Sequence, residues 1–466
     1  MINIDEKRKD NSDLEYNKAE EFVKDQLIKV QPTTLFSQNL NGSIEGAKNI
    51  NYAELINKCV MGDLKSRTFL KERIKQLLQE SNLVDFNKCD DLAQEIYINN
   101  FGLGPIDDLV YDKTINEIWV NGFDQIWIEK NGEKIRIDKK FKSNEDIERV
   151  MRQMLHYDKK EINLNCPKVE SKMLNGSRLT FTIPPLSPAP YINIRKFEAF
   201  ELTEDNITKD TMSKKVLEAC KLLYKGRANT LVIGETGAGK TSLIKFLCKY
   251  VDENLRIGTI ESSFELKLSK KYPNRNIFEY ESHEELGYDL GELFKLALRS
   301  SPDVIWLGEV RSSAEAEMLL NSMRRGHQGS NGTFHTNSPD TVVEDLCSLI
   351  TEDGKRRDPS MLRDRIVKAI DIVIQIHKYE DKKRRVASIT EVIDTGSLEN
   401  QQFGNYQLNT LWEYDLITNT FKKVNGIKNK SLLKKMRIFG LSDNELLQLA
   451  DESIANELIA KKESEV

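Results

Sequence analysis

Apolar positions change their rhythm several times along the chain, and the changes divide it. Over residues 52–100, Leu55, Val60, Leu64, Phe69, Leu70, Ile74, Leu77 and Leu78 recur at near-helical spacing among charges, which predicts a small helical region. Residues 101–197 carry short β-rich runs instead: Ile115-Asn-Glu-Ile-Trp-Val-Asn, Gln125-Ile-Trp-Ile-Glu, Arg178-Leu-Thr-Phe-Thr-Ile and Tyr191-Ile-Asn-Ile-Arg. Asn121-Gly122, Asn131-Gly132 and Asn175-Gly176 punctuate them as turns, and a helical stretch near Asp146 to Leu155 interrupts them, so this part reads as an α+β N-terminal domain. Residues 198–225 are predicted to be an acidic linker followed by a leading helix. From 226 to 393 apolar strands alternate with amphipathic helices, the pattern of a mostly parallel sheet covered on both faces. Residues 394–466 are expected to be a C-terminal extension, with a hairpin around Leu411-Trp-Glu-Tyr and then charged helices. Residues 1–51 are polar, show no sustained apolar period, and are expected to form a mobile arm.

Composition narrows the class. A chain of 466 residues suits two or three domains. Its net charge of −5 supplies no overall basic field, which disfavours nucleic acid as a partner. The six cysteines are scattered, with neither a C-x-x-C pair nor a zinc spacing, and read as reduced structural residues suited to the cytosol. No stretch approaches the roughly 18 uncharged apolar residues of a spanning helix, so membrane contact is expected to run through partners.

The chemistry is concentrated in the alternating region. Thr230-Leu-Val-Ile leads into Gly234-Glu235-Thr236-Gly237-Ala238-Gly239-Lys240-Thr241-Ser242, and Leu243, Ile244, Leu247 and Val251 then form a helical stripe. Strand, G-x-x-x-x-G-K-T and helix in that order predict a phosphate-binding loop. Glycines free to take unusual backbone angles turn successive N–H groups toward phosphate oxygens, and the helix N-terminus adds partial positive charge. Lys240 is the expected partner of the β- and γ-phosphates of ATP. The Thr241 hydroxyl is the expected ligand of Mg²⁺, with Glu309 as a second metal-binding candidate.

Hydrolysis also needs a group to orient water and cations to offset transition-state charge. Pro302-Asp-Val-Ile-Trp-Leu-Gly-Glu309-Val-Arg311 is an apolar strand followed by Gly-Glu, making Glu309 the first candidate for the catalytic carboxylate. Arg256-Ile-Gly-Thr-Ile-Glu261 is a shorter strand with Glu265 four residues on. These acids suit the carboxyl edge of a sheet, where ligands of open α/β folds bind, a solvated strand end being the lesser alternative when they are taken alone. Arg299 and Arg311 flank the Glu309 strand, placed either to pair with acids or to reach phosphate. His327 and His335 lie on a glycine-rich turn and a short strand. They lack the company that zinc requires and are expected to sense the phosphate instead.

The motifs stand in one order: Gly234-to-Thr241, Glu261-Ser-Ser-Phe-Glu265-Leu, Leu298-to-Arg311, and Gly326-His-Gln-Gly-Ser-Asn-Gly-Thr-Phe-His-Thr-Asn-Ser-Pro339. Together they resemble the Walker A, Asp box, Walker B and His box of the type II/type IV secretion ATPase superfamily, and the last phrase is most similar to the CpaF branch, the Tad/Flp pilus assembly ATPases. The likeness extends upstream through Phe101-Gly-Leu-Gly-Pro-Ile-Asp-Asp-Leu, Gly176-Ser-Arg178 and Ile192-Asn-Ile-Arg195-Lys-Phe197, and spans roughly residues 101–393. The resemblance implies a RecA-like P-loop ATPase motor over residues 226–393, working as a homo-oligomer, a hexamer, at an inner-membrane platform protein. The implied location is cytoplasmic and peripheral. It further implies that Arg178 and Arg195 face the nucleotide, that Glu261 and Glu265 activate water, and that His327 and His335 form the His box. Glu235 stands at a position usually small in relatives, Ser262 replaces an Asp, and Tyr280-Glu-Ser-His283 lacks a common Arg.

The expected activity is ATP hydrolysis driving pilus assembly or secretion. The alternatives are a motor exporting protein or DNA, and a nucleotide-gated scaffold with negligible hydrolysis.

Overall fold

The computed structural model describes residues 4–29, 52–130, 132–156, 158–196, 202–396 and 404–464. The chain divides into two compact units, Met1–Phe200 and Glu201–Val466.

In the first unit, helices Tyr52–Val60, Leu64–Ser81 and Cys89–Asn100 pack through Leu70, Ile74, Leu78, Ile96 and Tyr97. Asp63 caps the second helix by accepting from the Ser66 N–H, satisfying one of its orphan donors. The arm expected over residues 1–51 needs correction at its front. Ile4–Lys29 is a helix, and Ala19, Val23 and Leu27 are buried in the same cluster. Those three positions, four apart, make a stripe one residue wide, too narrow to stand out in a polar sequence but enough to dock once a bundle offers a groove. Residues 1–3 and 30–51 of that expected arm lie outside the described residues.

The rest of the first unit is an antiparallel six-stranded sheet: β1 Ile115–Asn121, β2 Ile126–Lys130, β3 Glu133–Ile137, β4 Lys168–Lys172, β5 Arg178–Thr182 and β6 Tyr191–Arg195, in the order β3-β2-β1-β6-β5-β4. Period-two alternation buries Ile118, Val120, Leu179, Phe181, Ile192 and Ile194 on one face, beneath helix Asn144–His156. Arg67 from the helical part donates to Asp107 through Nε at 2.9 Å and Nη2 at 2.6 Å, tying the two parts together.

The second unit is built on one nine-stranded sheet. Its strands are β7 Thr230–Ile233, β8 Ile257–Glu261, β9 Ile277–Glu281, β10 Val304–Val310, β11 Asn331–Phe334, β12 Ile372–Lys378, β13 Arg384–Asp394, β14 Tyr406–Asp415 and β15 Thr420–Lys423. The order is β15-β14-β13-β12-β7-β11-β10-β8-β9, parallel from β12 to β9 and antiparallel from β12 to β15. Every residue of β7 is buried. Leu231 and Ile233 enter the core on one face and Val232 the core on the other, as expected of a central parallel strand.

Residues 404–464, read from sequence as an extension, are continuous with this unit. β14 and β15 prolong the sheet, and Leu432, Leu433, Met436, Leu446 and Leu449 join the cluster that holds Val232 and Trp306. No helix among the described residues is long and apolar enough to cross a membrane.

Candidate nucleotide site

β7 ends in the middle of the sheet, between β11 and β12, and the loop that follows turns at Gly234, Gly237 and Gly239 with φ of +146°, +76° and +98°. These angles exclude most L side chains. Gly239 also caps helix Lys240–Leu247, whose first turn carries Thr241 and Ser242, both half-buried. Ala238 is fully buried, and its N–H closes the loop onto the Glu235 carbonyl at 3.2 Å. Glu235 does not direct its charge into the loop. Its carboxylate accepts from the Lys378 N–H at 3.1 Å and stands 3.7 Å from His377 Nδ1, both on β12.

Lys240, only 6% exposed, donates to the carbonyls of Gly234 at 2.8 Å and Glu235 at 3.0 Å, and its Nζ is 3.1 Å from His335 Nδ1. The opposite nitrogen of that imidazole, Nε2, is 2.5 Å from Glu309 Oε1. His335 therefore bridges the loop lysine and the acid of β10. Glu309 also pairs with Arg311, which reaches toward Glu265 at 3.9 Å. Burial pushes the Glu309 carboxyl up, but Arg311, His335 and Lys240 outweigh it and leave the group below its ordinary value. Burial and the Lys240 charge hold the His335 imidazole below its usual range against the pull of Glu309.

What points Glu309 at the loop is an irregularity in pairing. Between Leu307 and Val310 the register of β10 against β11 slips, Leu307 facing Gly332 and Val310 facing Phe334, so one extra residue re-aims the strand end. Glu261 ends β8 beside it and is nearly fully buried, accepting from the N–H groups of Glu265 and Leu266, each at 3.0 Å. Burial pushes its carboxyl up to about 8, more than those two hydrogen bonds restore. Glu281 performs a similar task nearby, accepting from Phe264 N–H at 2.8 Å, and so helps shape the 261–268 turn.

The structure thus gathers Gly234 to Ser242, Glu261, Glu265, Glu309, Arg311 and His335 at one edge of the sheet. It does not bring His327 or Arg299 there. His327 precedes β11 and its Nδ1 lies 2.9 Å from the Pro302 carbonyl at the start of β10, the end of the sheet opposite the loop. Arg299 closes helix Leu290–Arg299 just before that same strand start and is exposed. Arg178 and Arg195 are direct partners across β5 and β6, sharing one face of the first unit's sheet, and Arg195 Nε is 3.7 Å from Glu117.

Two features escape the sequence reading. A cleft of about 630 Å³ beside Gly234, Glu235 and Thr236 is lined by His335, Thr336, Asn337, Ser338 and Asp345. Arg384, on β13, donates from Nε to the Gly237 carbonyl at 2.8 Å. Nothing local marks Arg384, which sits in the run Lys382-Lys383-Arg384-Arg385 that reads as a solvated turn.

The residues present fit a triphosphate. A cradle of positive-φ glycines, open at Gly237, adjoins a helix N-terminus and a buried lysine, and the Thr241 hydroxyl and Glu309 offer the hard oxygens that Mg²⁺ prefers. A central parallel strand feeding a G-x-x-x-x-G-K-T turn, with an acid from β10 two strands away, defines a P-loop nucleotide-binding protein.

Which kind follows from comparison with known proteins. The model of the type II/IV secretion system protein family matches residues 99–410, well over half of the chain, and the chain belongs to that family. It is 28% identical over 251 residues to an uncharacterized protein of Methanocaldococcus jannaschii, the match covering 52% of this chain and 35% of that one. To the conjugal transfer protein TrbB of Rhizobium radiobacter it is 25% identical over 288 residues, covering 60% of this chain and 84% of the relative. The chain therefore spans about a third of the first relative's length and most of the second's. The solved VirB11 ATPase of the Brucella suis type IV secretion system is 22% identical, with 62% of this chain and 96% of that chain covered at a TM-score of 0.33.

Proposed function

We propose that this chain hydrolyses ATP and converts the energy into mechanical work for pilus assembly or secretion. The observation that carries this reading is the contact series Lys240–His335–Glu309 set over a glycine cradle: a phosphate-binding cation and a water-orienting acid joined through one imidazole. The loop N–H groups and Lys240 hold the β- and γ-phosphates, with Lys240 exchanging its carbonyl partners for phosphate oxygens. The Thr241 hydroxyl and the Glu309 carboxylate would hold Mg²⁺, which would supply charge neutralisation at the phosphates when bound. Glu309, kept ionised by Arg311 and His335, orients the attacking water. Glu261 and Glu265 shape the neighbouring turn, and Arg311 offsets charge developing near Glu309. His335 reports phosphate occupancy from Lys240 to Glu309; His327, at the far end of β11, has no part in this.

The finer reading is a ring of six of the Tad/Flp pilus assembly type, cytoplasmic and bound to an inner-membrane platform protein. The phrase over residues 326–339 supports the branch, and family membership supports the ring. Arg178 and Arg195, side by side on one sheet face, are the first unit's proposed contribution to nucleotide binding. A motor exporting DNA or protein is the second reading, favoured by the likeness to a conjugal transfer protein.

Steady-state ATP hydrolysis with Mg²⁺ tests the proposal, with oligomer mass recorded in the same samples. Lys240→Ala is expected to lose both nucleotide binding and turnover, and Glu309→Gln to keep binding while turnover falls at least about 100-fold. An assembled wild-type ring that binds ATP without hydrolysing it would instead identify a nucleotide-gated scaffold.

A further inference from the structure

The end of β12 and the start of β13 meet the outer side of the phosphate loop at three points. A Cβ placed on Gly234 would stand 2.1 Å from the Ile376 carbonyl oxygen, so strand and loop are already at closest approach there. The Lys378 N–H holds the Glu235 carboxylate, as described. At the far side Arg384 Nε donates to the Gly237 carbonyl at 2.8 Å, and its Cδ lies 3.2 Å from where a Cβ on Gly239 would be.

Arg384 differs from the arginine next to it. Arg385 spends both terminal nitrogens on Asp381, and its guanidinium lies over the rings of Tyr379 and Tyr414, a structural arrangement. Arg384 is half-buried, and among the described residues its terminal nitrogens make no hydrogen bond or ion pair, Nε alone being engaged. A planar guanidinium with one donor tied to a phosphate loop and four N–H groups left over is preorganised for an oxyanion.

We propose that Arg384 is a nucleotide ligand supplied by the same chain, donating to phosphate oxygens of bound ATP or ADP while its Nε holds the loop in shape. This rests on the ATP-binding reading above and adds to it a cation that the Walker motifs do not contain. Because β13 continues into β14 and β15 by pairing, the contact also ties the antiparallel flank of the sheet to nucleotide occupancy.

The test is equilibrium binding of fluorescent ADP to the full chain, displaced by unlabelled ADP and by tripolyphosphate, which has neither base nor ribose. Wild type, Arg384→Gln and Arg384→Lys are compared, each with its melting temperature. Loss of a charged hydrogen bond to phosphate is expected to weaken ADP and tripolyphosphate alike by about tenfold in the Gln variant, with Lys recovering part of the loss at an unchanged melting temperature. Tripolyphosphate affinity in Arg384→Gln equal to wild type would overturn the proposal. So would equal loss in both variants accompanied by a lowered melting temperature, since Arg384 would then be only a strut. If wild type binds no nucleotide, the ATP-binding reading falls with it; if wild type binds and Arg384→Gln binds as well, this inference falls alone.

Discussion

Gly308 sits in β10 just before the catalytic candidate, and its missing side chain has a measurable consequence. A Cβ built there would meet Glu261 Oε1 at 2.2 Å and Glu261 Cδ and Cγ at 2.9 Å. A flexible carboxylate at the surface would swing away at little cost. Glu261 cannot, because it is 3% exposed and anchored by the N–H groups of Glu265 and Leu266. Gly308→Ala therefore forces either overpacking, at about 1–3 kcal/mol, or release of the carboxyl group from the buried Leu266 N–H and the part-buried Glu265 N–H, at about 1–3 kcal/mol for a buried group left unsatisfied. A net loss of about 3 kcal/mol is expected, which in a unit of this size lowers the melting temperature by roughly 10 °C. The assay is thermal unfolding of four proteins: wild type, Gly308→Ala, Glu261→Ala and the double variant. Since the clash needs both side chains, Gly308→Ala should cost far less on the Glu261→Ala background, with a coupling of about 2 kcal/mol. A coupling below about 0.5 kcal/mol would show that Glu261 is not locked against β10, and the reasoning would be refuted.

Gly234→Ala should abolish nucleotide binding, because the new Cβ meets the backbone carbonyl of Ile376 at 2.1 Å and φ is +146°; fluorescent ADP titration checks this, and binding near the wild-type affinity would contradict the loop geometry. Burial raises Glu261 from an ordinary 4.5 to about 8, so the folded chain keeps a proton there that the unfolded chain releases. Its contribution to stability is full below pH about 4.5 and is lost as pH rises through about 8, at up to about 1.4 kcal/mol per pH unit. Glu261→Gln should flatten this slope in urea unfolding measured from pH 5 to 8.5, and an unchanged slope would place the titration elsewhere. Val23→Asp buries a carboxylate in the helical bundle and should destabilise the first unit by at least about 2 kcal/mol, read as earlier protease cleavage of residues 52–100; resistance equal to wild type would deny helix Ile4–Lys29 its packing role.

The sequence by itself determined the local chemistry. The strand, glycine turn and helix around Lys240 are legible because their backbone demands are written in consecutive residues, as is the apolar strand that delivers Glu309. The order of the motifs was enough to point to the family that the comparison then established. Tertiary structure decided which distant residues share an edge. His327 and His335 look equivalent eight residues apart, but a short strand separates them, so one faces Lys240 and the other the Pro302 carbonyl at the opposite end of the sheet. Glu235, at a position usually small in relatives, is accommodated because β12 supplies an N–H to receive its carboxylate. The stripe of Ala19, Val23 and Leu27, the continuation of the sheet into β14 and β15, and the reach of Arg384 to Gly237 all depend on partners far away in sequence. Local patterns record what a segment requires of its own backbone, whereas burial and pairing arise only when remote segments meet, and one sequence window cannot show that meeting.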